Sequence, residues 1–201
     1  MSTSTGSLTA LRDCGVLQQE VSLAEFTTWR VGGPAQWLAE PTNTDQIPGL
    51  LQWARERGLP VQMIGAGSNL LIADGGLPGL TLCLRRLQGS ELNAETGRIR
   101  AAAGEPLPTL ARRAAKAGLQ GMEWAVGIPG TVGGAAVMNA GAQGGCTAEQ
   151  LIGVDVIRLS DPQPTITHIS RDELAFSYRH SALQSSQHMV VAAEFQLESG
   201  H

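Results

Sequence analysis

The chain has 201 residues, 42% of them hydrophobic, and its net charge of −4 comes from 14 basic and 18 acidic side chains. This length and apolar content suit a globular protein of one large domain or two small ones. The charges form no basic stripe and no run of about 18 apolar residues occurs, so we expect neither nucleic acid nor a membrane as a partner, and a cytoplasmic location.

The cysteines and histidines give no sign of a metal site. Cys14, Cys83 and Cys146 are far apart and form no C-x-x-C pair, so they also predict no disulfide framework. The histidines lack an H-E-x-x-H or comparable spacing. We therefore predict no bound metal.

The first half of the chain has the pattern of strands around one helix. Asn43 or Thr44 can cap this helix and Gly58 can end it, while Pro60 and Gly65 bound a short apolar run. In chain order we predict a strand at residues 37–39, a helix at 44–57, a buried strand at 60–64 and a strand at 79–84.

The second half begins with two short strands around a turn at Glu95–Gly97. A helix follows from Pro106 to a stop at Gly118. Three alternating segments near the end, at 154–159, 164–170 and 188–197, predict strands. The whole pattern indicates the α+β class. Eight of the 25 glycines lie in residues 121–145, which we expect to form neither helix nor strand, because each glycine costs backbone entropy.

A first glycine-rich loop follows the predicted strand at 60–64, in the string IGAGSNLL. Gly65 and Gly67 allow close approach of a ligand to the backbone, and Ser68 and Asn69 add donors, which suits a diphosphate. A Rossmann fingerprint would require glycine where Leu70 stands, and no G-K-[ST] exists for a P-loop. An ordinary tight turn after a strand remains open on this loop alone.

A second glycine-rich loop covers Gly127–Ala142. Its backbone can wrap a large flat cofactor, with Thr131 and Asn139 as polar points. A flexible linker is the alternative, but interleaved apolar residues such as Ile128 and Val132 are rare in linkers.

Four ordered motifs resemble the UDP-N-acetylenolpyruvoylglucosamine reductase family. They are TTWRVGGPA at 27–35, IGAGSNLLIADGGLPG at 64–79, the string from AGEPLP to MNAGA at 103–142, and FSYRHS at 176–181. Their order and separation make the resemblance far more specific than either glycine loop.

The resemblance implies a vanillyl-alcohol-oxidase-type FAD-binding fold of α+β class, in which a small and a larger unit hold FAD between them. We expect an extension at residues 1–20, a first subdomain at 21–85 and a second at 86–201. It also implies the reaction: NADPH reduces the flavin, which reduces the enolpyruvyl double bond of a UDP-sugar to give UDP-N-acetylmuramate for peptidoglycan. Oligomeric state is not readable, and we favour a monomer.

Residue by residue, the resemblance implies a catalytic Arg179 and a substrate-binding Tyr178. A guanidinium can hold the substrate carboxylate while negative charge builds up beside it. Without the family, a Tyr-Arg pair is an ordinary surface pair. The implied FAD-binding residues are Gly65, Ala66, Gly67, Ser68, Asn69, Leu70, Gly127, Gly130, Thr131, Gly133, Gly134, Asn139, Gly141 and Ala142.

The family's C-terminal substrate domain, which carries a proton-donating serine and an assisting glutamate, has no counterpart in this sequence. We expect truncation and not natural loss of this domain, because Arg179 is retained although it is useful only with a substrate. A chain truncated in this way should bind FAD poorly or moderately and turn over little or nothing. Two alternatives stay open. One is a non-catalytic flavin-binding module that lost this domain, and the other is an oxidase of the broader flavin fold.

Overall fold

A computed structural model describes residues 16–199 of the chain. They divide into two compact units. Among these residues, the first unit comprises 16–87 together with Leu159–Thr165, and the second comprises Gln88–Arg158 and 166–199. Most of the predicted extension at 1–20 lies outside the described residues. No helix within the described range combines the length and apolarity that a membrane crossing requires.

The described elements of the first unit are β1 Leu17–Ser22, β2 Pro34–Ala39, α1 Ile47–Glu56, β3 Val61–Ile64 and β4 Leu77–Cys83. The four strands form one sheet in the order β1-β2-β4-β3. Strand β1 is antiparallel to β2, whereas β4 is parallel to both of its neighbours. Helix α1 is the single α-helix in this unit's described residues, and it follows β2.

The local sequence explains these elements. Parallel strands buried on both faces read as continuous apolar runs, and Leu80 and Leu82 of β4 are fully buried. A capping box starts the helical segment, with the Asn43 side chain accepting from the Gln46 backbone N–H at 3.2 Å. This confirms the predicted cap. Strand β1 was not predicted, and it precedes the first predicted element. Its pairing with β2 is what identifies it as a strand.

The described strands of the second unit are β5 Ser90–Asn93, β6 Arg98–Ala102, β7 Leu119–Gln120, β8 Gly141–Ala142, β9 Gly145–Cys146, β10 Leu151–Arg158, β11 Ile166–Ser170, β12 His188–Gln196 and β13 Glu198–Ser199. Its described α-helices are α2 Leu107–Lys116, α3 Val132–Met138 and α4 Thr147–Gln150. Five of the strands form an antiparallel sheet in the order β11-β10-β12-β6-β5. The other four form two short ribbons, β7 with β13 and β8 with β9.

Helix α3 lies inside the glycine-rich segment, where we predicted neither helix nor strand, and that prediction was wrong. Val132, Ala135 and Ala136 of α3 are buried, and the helix packs on β12 and β6. Tertiary packing therefore offsets the roughly 1 kcal/mol that each helical glycine costs relative to alanine. Gly133 is required by that packing, since a Cβ there would lie 2.9 Å from the Cβ of Ala103.

Candidate functional site

The first glycine loop begins where β3 ends and lies on the segment around Phe26. Gly67 has φ +65°, and a Cβ on it would overlap the carbonyl oxygen of Phe26. The backbone N–H of Thr28 donates to the Gly67 carbonyl at 3.3 Å. Only glycine meets both conditions, because the left-handed conformation and the close contact each disfavour a side chain.

The same loop is anchored to the hydrophobic core of the first unit by Leu70. Leu70 packs against a buried cluster that includes Leu23, Ile64 and Ile72. Leucine at position 70 therefore anchors the loop, where a Rossmann fingerprint would have glycine. Of the six predicted positions, Gly67 is buried, Gly65, Ser68 and Leu70 are half-buried, and Ala66 and Asn69 are exposed.

Among the described residues, the N–H groups of Ala66, Gly67 and Asn69 donate none of the backbone-to-backbone hydrogen bonds outside helices and strands. Of these, Ala66 and Gly67 are consecutive, and successive backbone N–H groups can form an anion-binding concavity.

A rigid turn displays Trp29 next to this loop. The Thr27 hydroxyl donates to the Val31 carbonyl at 2.8 Å and accepts from the Val31 N–H at 3.3 Å, while Arg30 has φ +55°. Trp29 is 74% exposed. Trp29 belongs to the family motif at 27–35, but the motif gave no separate signal for its side chain.

The second glycine loop is fastened to the segment between β6 and α2. Gly133 donates to the Ala103 carbonyl at 2.8 Å, Val132 to Glu105 at 2.9 Å, and the Gly130 carbonyl accepts from Leu107 at 3.0 Å. These bonds fix where α3 begins. Of the predicted residues here, Thr131, Gly133, Asn139 and Gly141 are buried, Gly130 and Ala142 half-buried, and Gly127 and Gly134 exposed.

The first residues of this loop make few backbone hydrogen bonds and lie beside a cavity. In the described chain, Gly127, Gly130 and Thr131 donate none of the backbone-to-backbone hydrogen bonds outside helices and strands. The Thr131 hydroxyl caps α3 by accepting from Gly134 N–H at 3.4 Å. A cavity of about 470 Å³ opens beside Gly127, with Met122 and Val126 among its lining residues.

Asn139 ends α3 in a left-handed conformation, with φ +43°. Its side chain is buried and bonded at both ends: Nδ2 donates to the Ser177 carbonyl at 2.8 Å, and Oδ1 accepts from the Ala148 N–H at 3.0 Å. The predicted cofactor residue thus has its amide directed to protein partners.

Tyr178 and Arg179 form the tip of a tight turn closed by Ser177 and His180. These two closing residues exchange backbone hydrogen bonds of 3.1 Å in both directions. Arg179 has φ +55°, and its Nη2 donates to the Gly141 carbonyl at 2.6 Å. Tyr178 is 89% exposed, and its ring centroid lies 5.4 Å from the Arg179 guanidinium carbon.

Two further side chains link the turn to α3. The Ser181 hydroxyl donates to the Val137 carbonyl at 2.7 Å. Gln184 Nε2 donates to Met138 Sδ at 3.3 Å and to the Arg179 carbonyl at 2.9 Å. The structure therefore brings the predicted Tyr178–Arg179 pair directly onto the second glycine loop. Sequence reasoning missed Ser181 and Gln184, which carry no local signal of this contact.

Titratable groups outside these loops give no sign of further chemistry. Burial raises the pKa of the Cys83 thiol to about 11, which makes it a poor nucleophile. Residues 16–199 contain no group of three or more His, Cys, Asp or Glu side chains that could hold a metal ion.

Comparison with known proteins assigns this architecture. The model of a family described as FAD binding domain matches residues 35–162, which is more than half of the chain. This chain belongs to the FAD-binding domain family. The fold is therefore of the predicted vanillyl-alcohol-oxidase type, with mixed helices and strands.

Individual relatives confirm the predicted resemblance. The chain is 88% identical over 201 residues to a UDP-N-acetylenolpyruvoylglucosamine reductase of Synechococcus sp. (strain WH7803), and 68% identical over 203 residues to that of Synechococcus sp. (strain CC9311). Both matches cover 100% of this chain but only 65% of the relative. A crystal structure of UDP-N-acetylenolpyruvylglucosamine reductase from Thermus caldophilus superposes with a TM-score of 0.72 at 34% identity, covering 92% of this chain and 64% of that one.

Proposed function

We propose that this chain is the FAD-binding portion of a cytoplasmic reductase that converts UDP-N-acetylglucosamine enolpyruvate to UDP-N-acetylmuramate with NADPH, for peptidoglycan synthesis. The carrying observation is the hydrogen bond from Arg179 to Gly141, which holds a cation suited to a substrate carboxylate on a loop suited to a flavin. The family match supports FAD, and the named relatives support the reaction.

The FAD contacts are proposed from the available backbone donors. In the first loop, Ala66, Gly67 and Asn69 suit the diphosphate, because their N–H groups make no other backbone bond outside helices and strands in the described chain. Gly65 allows close approach, Ser68 adds a hydroxyl, and Leu70 anchors the loop.

The second loop suits the same cofactor for related reasons. Gly127, Gly130 and Thr131 have N–H groups of the same kind, and Gly134 is exposed on α3. Gly133, Asn139, Gly141 and Ala142 hold the loop in shape. When bound, the flavin supplies the hydride for the substrate carbon.

Arg179 is the proposed catalytic residue. Its bond to Gly141 uses one of the five guanidinium N–H donors, and the others suit a bidentate contact with the enolpyruvyl carboxylate. A cation placed there also stabilises the negative charge that develops beside the carboxylate during hydride addition. Tyr178, exposed at the same turn, is proposed to contact the UDP-sugar.

The proposed domain arrangement has two FAD-binding subdomains, at 21–85 and 86–201, and a substrate domain in the complete protein. The chain spans 65% of the length of its Synechococcus relatives. The proton donor of the reaction is expected in the part that has no counterpart here. This portion alone is therefore expected to bind FAD but to turn over little.

A titration with FAD, followed by flavin absorbance and fluorescence, tests the first half of the proposal. A chain that stays colourless after FAD supplementation and shows no saturable binding would contradict it. The second half is tested on the full-length protein, by measuring its oxidation of NADPH in the presence of the enolpyruvyl UDP-sugar. The full-length Synechococcus relative is the positive control. A full-length protein that binds FAD but does not reduce this substrate would favour a non-catalytic flavin module.

A further inference from the structure

We propose that Asn139 is a positioning residue that sets the Tyr178–Arg179 turn on the second glycine loop, so that a ligand on the loop is sensed at the turn. The proposal concerns a residue that we first assigned to cofactor contact. It rests on the proposed function only in naming FAD as the ligand of the loop.

The amide of Asn139 connects the end of α3 to the Tyr178–Arg179 turn and to α4. Its Nδ2 donates to the carbonyl oxygen of Ser177 at 2.8 Å, and Ser177 is the first residue of the turn. Its Oδ1 accepts from Ala148 N–H in α4 at 3.0 Å. A buried amide satisfied at both ends has one orientation, since turning it over would face donor to donor and acceptor to acceptor.

The backbone of Asn139 supports the same role. A left-handed residue after a helix is usually glycine, because a Cβ is disfavoured there. Asn139, at φ +43°, has this unfavourable backbone conformation, but its side chain makes two hydrogen bonds that glycine could not make. The side chain, and not the turn conformation alone, therefore explains the residue type.

The contacts around Asn139 make α3 and the turn one braced unit. Ser181 bonds to the carbonyl of Val137, two positions before Asn139. Arg179 bonds to the carbonyl of Gly141, two positions after it. Three bonds from the turn thus reach alternate positions of one five-residue segment, with the Asn139 bond in the middle. A ligand that shifts this segment must shift the turn as well.

The single tyrosine of the chain gives a direct readout. Tyr178 is the only tyrosine, so incorporation of 3-fluorotyrosine places one fluorine at the turn, and its ¹⁹F resonance reports the surroundings of that ring. In the parent chain, we expect a resonance displaced from the unfolded position that moves again when FAD is added.

Asn139→Gly is the decisive variant, because it keeps the left-handed backbone and removes only the amide. We expect its ligand-free ¹⁹F resonance to move toward the unfolded position, and the FAD-induced shift to fall to less than about half of the parent's. Asn93→Gly is the matched control: the Asn93 side chain also accepts two backbone hydrogen bonds, both at 3.0 Å, but in the turn after β5. This control should lose thermal stability without any ¹⁹F change.

Parent-like fluorine behaviour in Asn139→Gly, both without and with FAD, would overturn the proposal. Absence of an FAD effect in the parent would count against the proposed function, and the ligand-free resonance would then decide the role of Asn139. Should Asn139→Gly fail to fold by circular dichroism, Asn139→Asp decides by the same two readouts, because it keeps the acceptor for Ala148 and loses the donor to Ser177.

Discussion

Arg179 donates a hydrogen bond to the carbonyl oxygen of Gly141 at 2.6 Å, across 38 positions of sequence. The guanidinium is thereby held at a fixed place on the second glycine loop. Because only one of its donors is used in this bond, the cation can serve a ligand carboxylate without leaving the loop.

Arg179→Ala in a complete enzyme should therefore lower kcat/KM for the enolpyruvyl UDP-sugar by about 10²- to 10³-fold, as for other single donors that stabilise developing charge. FAD affinity should change by less than about 3-fold, which corresponds to well under 1 kcal/mol. Steady-state kinetics and FAD titration measure the two effects separately. Arg179→Lys keeps the charge but not the planar fork, so partial recovery is expected. Equal losses of turnover and FAD affinity would refute a catalytic role.

Gly67→Ala should weaken FAD binding by at least about 10-fold, equivalent to about 1.4 kcal/mol. The added Cβ would overlap the Phe26 carbonyl, so the first loop must move. Gly58→Ala is a matched control, because Gly58 has φ +62° but no atom within 4 Å of the added Cβ. Both variants pay the left-handed backbone cost of about 1–2 kcal/mol in stability. Unchanged FAD affinity in Gly67→Ala would remove this loop from the cofactor site.

The sequence was most informative where the determinants are local. The helix cap at Asn43 depends on a residue three positions away, and the apolar run before Gly65 is a strand as expected. Helix α3 was missed because Gly133 is explained by packing on Ala103, thirty positions earlier. The contact of Arg179 with Gly141 has no periodic signature for the same reason. Only the family resemblance indicated both partners, and it could not indicate the bond between them.

The free energy of unfolding should depend on pH through Asp155, which lies in β10 of the five-stranded sheet. Partial burial disfavours its charge, but hydrogen bonds from His168 and Arg100 outweigh this and hold the pKa of Asp155 below its ordinary value. A carboxyl whose folded pKa is lowered stabilises the fold above its unfolded pKa, and this contribution is lost as pH falls through the folded pKa. The contribution is therefore complete at neutral pH and disappears in acid below the usual Asp range.

Asp155→Asn should accordingly lower the free energy of unfolding at pH 7 by about 1 kcal/mol, a modest value because Arg100 is half exposed. Urea denaturation of parent and variant at several pH values checks this, and the difference between them should shrink as the pH is lowered into the acid range. A difference that stays constant with pH would mean that packing, and not the ionised carboxylate, is responsible.

Gly133 and Gly134 are adjacent in α3 and should respond in opposite ways to alanine. A Cβ on Gly133 would lie 2.9 Å from the Ala103 Cβ, tighter than real contacts allow, so Gly133→Ala should displace α3 and lower stability by about 1–3 kcal/mol. A Cβ on Gly134 meets only the Thr131 hydroxyl oxygen at 3.5 Å, an ordinary contact, so Gly134→Ala should raise stability by up to about 1 kcal/mol.

The FAD affinity of Gly134→Ala tests whether the cofactor lies against α3. Gly134 is exposed on the helix, and if its surface faces FAD as proposed, the stabilised Gly134→Ala variant should bind FAD more weakly than the parent. Thermal melting and FAD titration of the same samples separate the two effects. A Gly134→Ala chain that is both more stable and equal in FAD affinity would show that this face of α3 does not contact the cofactor, and the proposed contacts would then be limited to the loop before Val132.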